Sequence, residues 1–211
     1  MATIYEVILL LVEIQIFTVS GALAPGPLSM ATLGAGLKRG WRAGLYAATG
    51  HLIVELPIFF SIAVGLLTIE SIVEIESVLL GIGGSYLIYI GYTQARMSDV
   101  EFRALEEARH PILIGMMFSL FNPYFILWWV ALGSVFIYDS IKLLGFYSLP
   151  LVYVAHVWMD YAWLTLLSFI AGEGATRFGG RLIRYVNIVL GLLLIGMGIS
   201  FLLSALNTVP L

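Results

Sequence analysis

Residues 4–37 read IYEVILLLVEIQIFTVSGALAPGPLSMATLGAGL, 34 positions without a lysine or arginine, interrupted by Pro25-Gly26-Pro27. As one helix this stretch would be about 51 Å long, whereas a hydrocarbon core of about 30 Å is crossed by about 20 residues. It reads as a membrane span with a break inside it. The rest of the chain has the same character. Of 211 residues, 61% are hydrophobic and 11% charged, against about 45–50% and about 25% in a soluble domain. Ten basic and 13 acidic residues cannot cover a water-soluble globule of this size.

Five further apolar segments follow, at about 43 to 69, 77 to 95, 111 to 138, 143 to 171 and 183 to 206. Buried backbone groups in lipid must be satisfied within the segment, and two-residue alternation is missing, so these segments are expected to be helices. The expected fold is an all-α integral membrane protein of six transmembrane helices. It is expected to form a single transmembrane domain: a first unit at about 1–95, a cytoplasmic loop at about 96–110 and a second unit at about 111–211.

Charge placement gives an orientation. Lys38, Arg39, Arg42, Arg96, Arg103, Arg109, Arg177, Arg181 and Arg184 fall in the first, third and fifth connections, nine of the ten basic residues. The second connection carries Glu70, Glu74 and Glu76, and the fourth Asp139 and Lys142. The positive-inside rule puts the odd connections in the cytoplasm and both termini outside a cytoplasmic membrane. The N-terminus has no basic residue before its apolar run and lacks a signal-peptide n-region, so residue 1 is expected in the mature protein. A formal charge of −3 offers no basic surface for nucleic acid. With no cysteine, thiolate metal sites and thiol relays are excluded.

Six helices with both ends on one side divide into two three-helix units, the second inverted. Corresponding features appear where this requires. The fourth segment is broken by Asn122-Pro123, 13 positions from Arg109, as Pro25 is 13 positions from Lys38. Both breaks then sit about 20 Å from the cytoplasmic ends. Proline ends one helix and starts another, with Asn122 as the N-cap and Pro123 at N1. Helix N-termini pointing into the bundle suit anionic groups of a solute, although a single kink can equally serve packing. The second and fifth segments match as well. His51 and Glu55 are four apart, as are His156 and Asp160, so each pair shares a helix face. Ionisable groups in a bilayer point to a substrate path or proton relay. Glu13 reads as structural. Gly81, Gly83, Gly84, Gly191, Gly196 and Gly198 read as close helix packing, and Trp128, Trp129, Trp158 and Trp163 as packing, belt or stacking residues.

Taken in order, Pro25-Gly26-Pro27, the glycine-flanked basic turn Gly40-Trp41-Arg42-Ala43-Gly44-Leu45, Gly50, Gly84-Ser85-Tyr86-Leu87-Ile88-Tyr89-Ile90-Gly91, Asn122-Pro123 and the pair Asp160 and Trp163 resemble the LysE/RhtB-type amino-acid exporters. Tyr124 stands where members of that family often carry lysine. The resemblance implies two inverted three-helix repeats with broken first and fourth helices, and export of amino acids or related small zwitterions driven by a proton or ion gradient.

The assignment to test is therefore a secondary exporter. Pro25, Gly26, Pro27, Asn122 and Pro123 would hold the solute carboxylate, Glu55 and Asp160 its ammonium group, and His51 and His156, with those acids, the coupled proton. No cofactor and no resident metal are expected; the partners are a small solute and the lipid bilayer, with oligomerisation open. The rival reading is a divalent metal exporter using His51, Glu55, His156 and Asp160, nitrogen and oxygen ligands that suit zinc, nickel or manganese. An intramembrane enzyme is disfavoured, because no nucleophile or cofactor motif is present.

Overall fold

In a computed structural model, residues 3–23, 26–65, 76–96 and 110–208 are described. They are almost wholly helical, and no strand occurs among them. Pro25, Glu70, Glu74, Arg103 and Arg109 lie outside the described residues.

Helix α1 (Ile4–Ala22) starts at a capping box: Glu6 N–H donates to Thr3 Oγ1, and the Glu6 carboxylate accepts from Thr3 N–H. Helix α2 (Pro27–Arg39) begins afresh after the first break, with Gly26 as N-cap and Pro27 at N1. One residue, Gly40, joins it to α3 (Trp41–Ala63). Its φ of +59° is a left-handed value that a side chain would penalise. Next come α4 (Glu76–Arg96) and α5 (Pro111–Leu120). The second break is followed by α6 (Pro123–Trp128), a π-helical turn (Trp129–Gly133) and α7 (Ser134–Leu144). A short 3₁₀ turn (Phe146–Ser148) leads into α8 (Leu149–Thr208).

Five described stretches are long and apolar enough to cross a membrane: Ile4–Ala22, Trp41–Ala63, Pro123–Leu144, Phe146–Gly174 and Ile188–Leu206. The expected third span corresponds to α4, which has the length at 21 residues. It is not among the five: Gly81, Gly83, Gly84 and Gly91 with Tyr86, Tyr89 and Tyr92 dilute its apolar character.

The fifth connection differs from expectation. The backbone is helical through it, so the last two apolar stretches belong to one helical run of 60 residues. Drawn straight, α8 would measure about 90 Å. It is not straight. Gly198 packs on Gly84, the adjacent Gly83 packs on Phe121, and Ser119, two residues before Phe121, bonds His51 beside His156. Positions 156 and 198, about 63 Å apart on a straight helix, thus terminate one short path of contacts, and α8 folds back between its apolar stretches.

Small residues set the closest approaches, as expected where helices associate without a hydrophobic driving force. A Cβ on Gly84 or Gly91 would strike the backbone at Gly198 or Gly191, and one on Gly50 or Gly115 the backbone at Ile112 or Ala47. Gly81 and Gly196, read as packing residues, face open space instead. The core has two main parts. Ile14, Phe59, Trp129, Phe136, Ile137 and Val152 form one; Ala31, Ala35, Ala43, Leu87, Ile114, Phe118 and Leu194 form the other. Helix α3 runs from Ala43 in the second to Phe59 in the first, and His51 and Glu55 lie between them.

Candidate functional site

The two breaks and the two His/acid pairs meet at one cavity. Its volume is about 70 Å³. Gly26 and Ser29 line it after the first break and Asn122 and Tyr124 at the second, while His51, Glu55, His156 and Asp160 line it from α3 and α8. All four ionisable side chains are buried. No lysine or arginine lines it among the described residues.

Helix α3 can bring its pair against α5 because Gly50 and Gly115 let the two backbones nearly touch. This contact places Ser119 Oγ 2.6 Å from His51 Nδ1. Ser119 donates its single hydroxyl hydrogen to the Gly115 carbonyl at 2.7 Å, so His51 Nδ1–H is the donor to Ser119. Helix α1 supplies Thr18, buried, with Oγ1 2.8 Å from His156 Nδ1. With Glu55 ionised and accepting only, His156 Nε2 carries a hydrogen, and Nδ1 of the neutral ring accepts from Thr18.

Glu55 is where the two pairs become one group. Its Oε1 lies 3.0 Å from His156 Nε2 and 3.4 Å from His51 Nε2. Trp129 donates its indole N–H to Oε1 at 3.3 Å, and Tyr153 its hydroxyl to Oε2 at 3.0 Å. His156 is 3.5 Å from Asp160 Oδ2, farther than from Glu55. The spacing of four had paired His156 with Asp160; across the bundle it is closer to Glu55 of the other half.

The π-helical turn explains how two consecutive tryptophans serve one site. Such turns insert a residue into the helical ladder and are frequent at functional sites. Trp128 stacks on His156 at 5.5 Å between ring centres and donates to Ser20 Oγ, and Trp129 meets the same imidazole edge-on at 4.8 Å.

The remaining expected residues fall as follows. Asn122 is the N-cap and Pro123 the N1 residue of α6. The Asn122 side chain makes no cap; its Oδ1 is buried without a hydrogen-bond partner. Pro27 and Pro123 are buried and shape the breaks without lining the cavity, and Glu13 is half-buried away from it. Trp158 binds Gln15, and Trp163 does not line the cavity either. Thr18, Ser119 and Tyr153 were not singled out from the sequence. A lone hydroxyl in an apolar helix gives no sign of the imidazole or carboxylate that it will meet.

His51, Glu55 and Asp160 also present ligand atoms within 4.8 Å of one another, a grouping able to hold a metal ion.

Comparison with known proteins agrees with this architecture. The LysE type translocator family matches residues 19–205. An "Uncharacterized membrane protein" of Haemophilus influenzae is 22% identical over 149 residues, covering 66% of this chain and 70% of that protein. No solved structure matches the chain. With a multi-pass helical fold and a family match over most of its length, this chain belongs to the LysE type translocators.

Proposed function

We propose that the protein is a secondary transporter that exports amino acids or related small zwitterionic solutes across the cytoplasmic membrane, coupled to a proton or ion gradient. The observation that carries this reading is the convergence of both helix breaks and both His/acid pairs on one buried cavity. An interrupted helix in each half, with its N-terminus at the cavity, suits a carboxylate, because backbone N–H groups and the helix dipole face it. A carboxylate at the cavity suits an ammonium group. The imidazoles of His51 and His156, hydrogen-bonded to Glu55 on one side and to Ser119 and Thr18 on the other, form a path for a proton.

In this reading α4, the third in order, completes the six spans, the halves are inverted repeats, both termini are outside, and alternating access is a rocking of one half against the other. The test is uptake of labelled amino acids by proteoliposomes with and without an imposed pH gradient. Gradient-dependent accumulation that disappears in Asp160→Asn supports the reading; accumulation insensitive to both Asp160→Asn and Glu55→Gln overturns the assignment of roles.

The grouping of His51, Glu55 and Asp160 favours one alternative substrate, a divalent metal ion. Uptake of zinc, nickel or manganese by the same liposomes, without uptake of any amino acid, would establish that alternative.

A further inference from the structure

We propose that the two membrane acids have separate tasks: Glu55 is a positioning residue that clasps the two halves of the chain together, and Asp160 is the carboxylate that receives the cationic group of the solute. The second part rests on the transport reading above; the first does not.

Each carboxylate oxygen has two lone pairs; on Glu55, Oε1 faces His156 Nε2, the Trp129 indole N–H and, at 3.4 Å, His51 Nε2, and Oε2 accepts from the Tyr153 hydroxyl. Its side chain is 1% exposed. Three of the donors, Trp129, Tyr153 and His156, come from the second half, whereas Glu55 lies in the first. Both carboxylate oxygens are thus already engaged. Separating the halves would break three bonds at this one side chain.

Asp160 has the opposite surroundings. It is buried and lines the cavity, yet its Oδ2 makes no hydrogen bond, and the imidazole beside it, His156 with Nε2 at 3.5 Å, is closer to Glu55. A buried carboxylate with open lone pairs is costly until a donor reaches it. Asn122 Oδ1, also buried and lacking a partner, lines the same cavity. Two unfilled acceptors without a lining lysine or arginine call for a ligand rich in N–H donors. An ammonium group supplies three, and the Trp128 and Phe125 rings on the cavity wall favour a cation over their faces.

The absence of cysteine allows a direct test by paired labels. Ile53→Cys on α3 and Val154→Cys on α8, both exposed, carry spin labels whose separation is read by pulsed electron resonance. Glu55→Gln is expected to broaden that distribution toward longer distances, and Tyr153→Phe, which keeps the ring, to do so to a smaller degree. Asp160→Asn should leave it unchanged. Ligand engagement is read separately, as thermal stabilisation by n-butylammonium chloride and by a mixture of amino acids against a sodium chloride control. Wild type, Glu55→Gln and Tyr153→Phe should respond to butylammonium, and Asp160→Asn should lose the response by at least about tenfold in concentration.

An unchanged distance distribution in both Glu55→Gln and Tyr153→Phe overturns the clasp. Equal loss of the butylammonium response in Glu55→Gln and Asp160→Asn, or no response in wild type, overturns the division of tasks. Response to butylammonium without response to any amino acid leaves Asp160 assigned and removes the amino-acid reading instead.

Discussion

The two helix breaks have the same outline and different contents. Each starts a new helix with proline at N1, and each opens on the same cavity. After the first, α2 runs through small residues to Gly40, and its N-cap, Gly26, presents backbone alone. After the second, the N-cap is Asn122, and six helical residues lead into a π-helical turn that brings two indoles against His156. Breaks of one outline can therefore hold unlike chemistry: one offers peptide groups, the other an amide and an aromatic wall.

The largest expected effect on this contrast comes from removing the wall. Trp129→Ala deletes a fully buried ring together with the donor to Glu55, and it should cost about 3–5 kcal/mol of stability in detergent unfolding. Trp129→Phe keeps an aromatic ring but loses part of the indole's volume together with the N–H donated to a carboxylate; a loss of about 1.5–3 kcal/mol is expected. A loss equal to that of alanine would show that the donor, not the ring, distinguishes this break.

Asn122→Ala should separate stability from transport. Its side chain makes no cap and leaves Oδ1 without a partner, so unfolding should shift by less than about 0.5 kcal/mol where a working cap would cost about 1. Solute uptake should fall at least about tenfold, the size of one lost ligand hydrogen bond. Gly26→Ala should do least. Its backbone, φ −105° and ψ 175°, is open to any residue, and a change of a few tenths of a kcal/mol in unfolding is expected. A large effect there would mean that the first break also depends on a close side-chain fit.

The sequence made the breaks and the paired spacing of His and acid legible because each rests on local chemistry: proline cannot continue a helix, and positions four apart share a face. Partners across the bundle were not legible. His156 bonds Glu55, 101 positions away, because α8 lies against α3, and nothing in the residues near His156 encodes that distance. The π-helical turn likewise has no local signature in Trp129–Gly133. The arginines of the fifth connection suggested a loop, since charge in a membrane chain marks an end; it says nothing about whether the backbone there stays helical. The glycines of α4 gave a correct signal of packing at Gly83 and Gly84 and a misleading one at Gly81, because a glycine does not say which side its neighbour is on.

The elbow at Gly40 has a mechanical consequence. With a single residue between them, α2 and α3 form a bent lever, and Ser168 of α8 fastens its corner by accepting from Gly44 N–H and donating to the Gly40 carbonyl. Glu55 sits about 22 Å along the arm from that pivot. A tilt of about 10° there carries its carboxylate by about 4 Å, more than a hydrogen bond tolerates. A small push on α2 at the cavity would thus be magnified into the release of every cross-bundle bond that Glu55 makes.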